Sequence, residues 1–254
     1  MVDVRDRTYE ALVLRARDYR EQDRLLRIVS AEAGPETVIA RGARKTGHVL
    51  TACSQSFCRA TLTLSPAKNG VSFLKEGRQE ESYLPPGGDV TRFAYLSYCS
   101  ELLLAGWPED RPDPALYALA RAAFLLLRQD EDAARTARFF EVRLLELLGL
   151  LPDLSACAGC GHKPGQDSRR FLLAPRPGRL LCADCARRNG ETGPLFSPGA
   201  LLALSHLAGD PLPRVAHLRL YQAQQEELEP ALAAFLDYHL EYAGRARAIL
   251  KQLR

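Results

Sequence analysis

The sequence predicts an α+β protein: a small N-terminal β-barrel, then an α-helical domain that carries an inserted four-cysteine zinc finger. Three observations lead there. Residues 8–80 place short apolar runs between turn signals, the texture of strands. From Asp89 onward, apolar residues recur at helical spacing. Two Cys-x-x-Cys pairs, Cys157/Cys160 and Cys182/Cys185, interrupt the helical part. The expected domains are residues 1–80 and 81–254, with the finger at about 155–190.

The strand region reads in order. Tyr9 to Arg17 is an apolar run with charged ends, and Arg24 to Val29 is a second, closed by Gly34-Pro35. Glu36 to Arg41 is a third, ending at Gly42. Between Phe57 and Ser65 the alternation is strict: Cys58, Ala60, Leu62 and Leu64 share one face, and Arg59, Thr61, Thr63 and Ser65 the other. Pro66 to Gly70 forms a hairpin connection, and Val71-Ser-Phe-Leu returns. About five short strands in this length suit a closed barrel such as the OB-fold. Phe57 and Phe73 are expected in its core, whereas Tyr19 stands among charges and is expected at the surface.

The first helical segment includes Phe93, Tyr95, Leu96 and Leu102–Leu104, and stops at Gly106 and Pro108. Pro114 suits the first turn of the next helix, through Leu127. Ala133 to Leu148 makes a third, with Phe139, Phe140, Leu144, Leu147 and Leu148 at helical spacing. After the cysteines, Ser197 is a natural N-cap. A long last segment runs from Glu226 to Leu253. Helices on both sides of the finger are expected to pack as one bundle.

Each close cysteine pair offers two sulfurs, and residues 161–181 bring the second pair over the first. Gly159 and Gly161 permit tight turns that aim amide groups at sulfur. Four thiolates fill a tetrahedral ion, so one Zn²⁺ is expected in a structural role, with no open position for catalysis. Seven cysteines, four of them in metal spacing, favour a reducing cytoplasm over a disulfide framework. The apolar runs are broken by charge too soon to span a membrane, and the N-terminus has no apolar stretch of signal-peptide type.

The net charge of +3 conceals a polarity. Residues 1–80 hold 14 Lys/Arg against 10 Asp/Glu, residues 81–156 hold 7 against 12, and residues 157–188 hold 7 against 2. Two basic modules therefore flank an acidic one, a distribution suited to a polyanion. No acid occurs between Thr37 and Lys75, a stretch with Arg41, Arg44, Lys45, Arg59, Lys68 and Lys75. With Arg15 and Arg17, these are the expected nucleic-acid contacts, with Gly42 letting a backbone approach closely. Arg169, Arg170, Arg176, Arg179, Arg187 and Arg188 make the finger a second candidate surface, or simply a soluble one. Few aromatics accompany these cations, so little base preference is expected, and single and double strands are both eligible.

Enzymatic signatures are missing from the sequence. Gly42-Ala-Arg-Lys45-Thr46 lacks the glycines of a nucleotide-binding P-loop. His48, Cys53 and Cys58 read as residues on or near a buried strand and not as a second metal cluster. His206, His217 and His239 are widely spaced, and no nucleophile is paired with a base. The expectation is a binding protein and not an enzyme. An RNA-binding barrel and zinc-ribbon protein of translation or ribosome maturation would carry the same charges.

Three stretches resemble the bacterial RecO family of recombinational repair mediators. They are Ala11-Leu-Val-Leu-Arg15 with Glu21 and Asp23-Arg-Leu25, then Ala40-Arg-Gly-Ala-Arg44, and finally Phe140 to Pro152 running into Cys157-Ala-Gly-Cys-Gly161. The resemblance implies an N-terminal OB-fold and a helical C-terminal domain with an inserted zinc finger. It further implies binding of single- and double-stranded DNA, annealing of complementary strands, and partnership with RecR and single-strand-binding protein in loading RecA. A cytoplasmic, nucleoid-associated protein would follow.

Overall fold

A computed structural model describes residues 6–65, 70–129, 132–176, 178–242 and 244–253. Five strands come first: β1 (Arg7–Tyr19), β2 (Asp23–Ser30), β3 (Gly34–Ala40), β4 (Cys58–Ser65) and β5 (Val71–Ser82). They close in the order β1-β2-β3-β5-β4, with β4 returning antiparallel to β1 and β3 parallel to β5. This is the OB-like barrel that the strand texture predicts. Its interior is filled by Ala11, Val13, Leu26, Ile28, Val38, Ala60, Leu62, Leu64 and Leu74, all from inward-facing positions. The alternation of β4 is borne out, since its burial alternates residue by residue. The hairpin at Pro66–Gly70 lies largely outside the described residues.

Phe73 departs from expectation. In β5 the inward positions belong to Ser72 and Leu74, which leaves Val71, Phe73 and Lys75 facing outward. Phe73 is only half-buried, with the Arg41 guanidinium 4.1 Å from its ring centre. The strand is apolar on both faces, so its periodicity does not choose between them.

The helices are α1 (Val90–Gly106), α2 (Pro114–Gln129), α3 (Ala133–Leu147), α4 (Ala183–Arg188), α5 (Pro198–Gly209), α6 (Leu212–His217), α7 (Gln222–Leu240) and α8 (Ala246–Gln252). Their starts follow local chemistry. Asp89, Asp132 and Ser197 each accept the backbone N–H three residues ahead, and Asp113 accepts those of Ala115 and Leu116. The end of α3 is a double-bonded C-cap, in which Gly149 N–H donates to Glu146 and Leu150 N–H to Leu145.

Helices from the two sides of the finger do pack together, α1 with α8 and α3 with α5 and α7, but they fall in two compact units and not one bundle. One compact unit spans Met1–Gln129 and takes in Arg245–Arg254, and the other is Asp130–Gly244. The barrel ends at Ser82, close to the expected boundary, but α1, α2 and α8 belong to the barrel's unit. Phe57 sits where barrel and helices meet, its ring edge-on to Phe93 and Phe124. The last segment is not one helix. Glu241 takes a left-handed conformation after α7, and α8 starts anew on α1, with Ala246 N–H donating to Glu101 Oε2 at 3.0 Å. In the second unit α3, α5 and α7 pack together. Within α3, Arg138 and Glu141 form a buried ion pair at 2.6 Å.

One polar knot ties the barrel wall to α2. Glu10 accepts from Tyr117 Oη at 2.9 Å and from Arg59, and Arg59 also reaches Glu81 at 3.6 Å. Burial raises the Glu10 carboxyl, but the Tyr117 hydroxyl and the Arg59 guanidinium outweigh it and hold its pKa below the usual value. A depressed carboxylate stabilises the fold above its unfolded pKa, near 4.3, and that contribution is lost as pH falls through the folded value. Glu10→Gln is therefore expected to lower the melting temperature at pH 7 and to differ progressively less from the parent below about pH 4. Melting curves across pH check this.

Candidate metal centre and nucleic-acid interface

The finger is a three-stranded antiparallel sheet in the order β7-β6-β8, made of β6 (Phe171–Ala174), β7 (Arg179–Cys182) and β8 (Leu195–Phe196). The third strand lies beyond residue 190, where the module was expected to end. Cys182 closes β7 and Cys185 sits in the first turns of α4, so one knuckle is a strand-to-helix turn. The other is a loop anchored to β7 by Ala158 N–H donating to Leu180 O at 2.9 Å. Gly161 has φ +72°, as a tight turn requires. At Gly159 the reason for glycine is space: a Cβ there would lie 2.9 Å from Cys185 Sγ.

The ligand atoms of Cys157, Cys160, Cys182 and Cys185 all lie within 4.8 Å of one another, and Cys160 Sγ is 3.8 Å from Cys182 Sγ. Tetrahedral zinc–sulfur bonds of about 2.3 Å separate sulfurs by about 3.8 Å, so the cluster has the right size for one ion. The donors around it suit thiolates. Cys157 Sγ accepts from the N–H groups of Cys182 (3.1 Å) and Gly159 (3.4 Å), and Cys185 Sγ accepts from the Arg188 guanidinium at 2.9 Å. Burial pushes the Cys157 thiol up, but these amide bonds with that of Cys160 win and bring it down to about 6. Cys185 is pushed up to about 12 by burial, against the pull of Arg188. His162 is not in the set, being stacked on Phe171 and paired with Asp167. The cluster can bind a soft divalent cation and leaves no protein-side opening for chemistry. Arg188, read from sequence as a surface charge, is a thiolate partner, which its place three residues after Cys185 hinted at.

The expected nucleic-acid residues separate into three kinds. Arg15, Arg17, Arg41 and Lys45 are exposed. Arg44 and Lys75 are also largely exposed but have partners: Arg44 reaches Asp18 at 3.1 Å and the carbonyl of Glu21 at 2.9 Å, and Lys75 reaches Asp6 at 2.7 Å. Arg59 is the correction. Its place in the knot with Glu10 and Glu81 makes it part of the barrel wall and not a free cation. Lys68 lies outside the described residues. The acid-free stretch of sequence is thus not acid-free in space, because β1 with the residue before it, and β5, bring Asp6, Glu10, Asp18 and Glu81 beside it.

Two of the resembling stretches turn out to be one structure. Asp23 Oδ1 accepts the Gly42 N–H at 2.9 Å, Arg44 N–H donates to Gln22 O, and Gly42 has φ +66°. Arg24 crosses to Thr51 O and Ser54 Oγ at 3.0 and 3.1 Å. The turn between β1 and β2 therefore holds the long loop after β3 in place. Cys53 and Cys58 are buried, as expected, and His48 Nδ1 accepts the Leu50 N–H.

Barrel, helices and four-sulfur finger define a two-unit protein of the OB-fold class with an inserted metal-binding module. The N-terminal model of recombination protein O matches residues 4–83, and the C-terminal model matches residues 87–247. The chain belongs to the RecO family of DNA repair proteins. It is 30% identical over 246 residues to the DNA repair protein RecO of Symbiobacterium thermophilum, covering 96% of each chain. It is 32% identical over 237 residues to that of Bacillus pumilus, covering 92% of this chain and 88% of the relative. No helix among the described residues is long and apolar enough to cross a membrane.

Cys157→Ser is expected to lose the bound metal and to open the finger to protease while the barrel persists, because metal binding and local folding are coupled. Gly159→Ala keeps all four ligands, yet is expected to weaken metal retention against a chelator. Metal content per chain and limited proteolysis check both.

Proposed function

We propose that this protein is a recombination mediator. It binds single- and double-stranded DNA and anneals complementary strands. With RecR as partner, it assists loading of RecA onto DNA coated by single-strand-binding protein. The observation that carries the reading is membership of the RecO family along nearly the whole chain, 96% of it in the match to the Symbiobacterium thermophilum relative. The site geometry is in keeping with it. Arg15, Arg17, Arg41 and Lys45 present exposed cationic surface near one end of an OB-like barrel.

The mechanism is electrostatic and needs no nucleotide. Cations on the barrel neutralise phosphates of two strands, lower their mutual repulsion and let complementary bases meet. Arg44 and Lys75 add to the track by exchanging exposed carboxylate partners for phosphate, an exchange that costs little because such surface pairs are worth about 0–1 kcal/mol. The ion in the finger is Zn²⁺, and its contribution is to staple the two knuckles together. The protein acts without catalysis, in the cytoplasm, on the nucleoid.

Purified protein is expected to anneal complementary oligonucleotides without ATP, at a rate that falls as salt rises. The combined Arg15→Ala, Arg17→Ala and Lys45→Ala variant is expected to bind single strands more weakly and to lower the slope of log affinity against log salt by roughly 2. Titrations of DNA and of RNA of the same sequence at several salt concentrations check this. An unchanged slope would take these residues out of the track, and a preference for RNA would favour a role in translation.

A further inference from the structure

The pairing of the strands places an apolar row on the outside of the barrel. Arg17 lies opposite Leu25, Leu25 opposite Ile39, Ile39 opposite Phe73, and Phe73 opposite Ser65. The core-facing neighbours are Leu26, Val38, Leu64 and Leu74, so the row faces outward on every strand. Leu25, Ile39 and Phe73 are half-buried and not sealed. Strands are about 5 Å apart, so these three side chains form a platform about 10 Å across. Cations border it, with exposed Arg17 at one end and Arg41 over Phe73 at the other. The adjacent row, Arg15–Arg27–Thr37–Val71, adds two more arginines, of which Arg27 is paired with Glu109 at 2.7 Å.

An apolar strip between cations matches a chain of flat, apolar-faced bases on a phosphate backbone. We propose that this row is a base-stacking platform for a single nucleic-acid strand. Phe73 is the stacking residue, and Arg41 covers its ring until a base takes its place. The inference rests on the DNA-binding reading above and makes it specific to unpaired bases, since a duplex keeps its base faces stacked inside. In the free protein the guanidinium shields the ring from water. When a strand binds, Arg41 turns to a phosphate and the base lies on Phe73, with Ile39 and Leu25 under the next. Phe73 and Arg41 thus give the barrel a preference for single strands that the cations alone do not supply.

The test compares a thymine oligomer with an abasic oligomer of equal length and charge. The native chain is expected to bind the thymine strand about tenfold more tightly or better. Phe73→Leu keeps an apolar side chain and is expected to remove most of that difference, leaving abasic binding and the salt slope unchanged. Phe73→Tyr is expected to retain the difference, which separates stacking from damage to the fold. Phe73→Trp adds a fluorophore at the platform, since the chain's single tryptophan, Trp107, is buried. Its emission is expected to be quenched by the thymine strand and not by the abasic one. Equal native affinities for both strands would overturn the platform while leaving phosphate binding standing. Binding of neither strand would overturn both.

Discussion

Closure of the five-stranded sheet is the constraint on which the rest of the barrel's unit depends. Once β4 returns to β1 and β3 meets β5, the barrel has no free edge and its inner positions are fixed. Every remaining side chain must then find a place outside, against helices or against solvent. β1 shows the division along one strand. Leu12 and Leu14 point away from the core cluster yet are fully buried, whereas Arg15 and Arg17 are exposed. A register shift between Val13 and Arg15 marks the change. The same strand thus contributes to the helix contact in its first half and to the cationic surface in its second.

The division also decides which cations are free. Arg59 stands on β4 opposite Leu12 and next to Glu10 across the strands, in the covered half. There a charge needs partners, and Glu10, Glu81 and Tyr117 provide them. Arg17 and Arg41 are in the open half, where water solvates them and no carboxylate is required. The reassignment of Arg59 and the exposure of Arg17 therefore follow from one fact about the barrel.

What could be read from sequence were features whose physics is local. Strand alternation in β4, the cap at Ser197 and the paired cysteines are set by residues a few positions apart. What could not be read depends on register between distant segments. The stretch from Thr37 to Lys75 contains no acid, but its strands pair with β1 and with the far half of β5, both of which carry carboxylates. Phe73 looked like core because β5 is apolar at successive positions, and only its pairing with Ile39 and Ser65 assigns it to the outer face. The break before α8 is similar. Gly244 is a weak local signal, and the acceptor that caps the new helix is Glu101, from a different part of the chain.

The finger reverses this balance. Its ligand set is legible because a metal site requires particular residue types at particular spacings, whatever surrounds them. Its second layer is less so. Gly159 is required by the nearness of Cys185 Sγ across the cluster, and Arg188 serves as a donor to that same sulfur. Both sit beside ligands in sequence, but the need for glycine at 159 appears only when the two knuckles meet. A strand beyond the last ligand, β8, completes the sheet that carries them. The four cysteines thus specify where an ion goes, while residues that never touch it determine how well four thiolates are tolerated so close together.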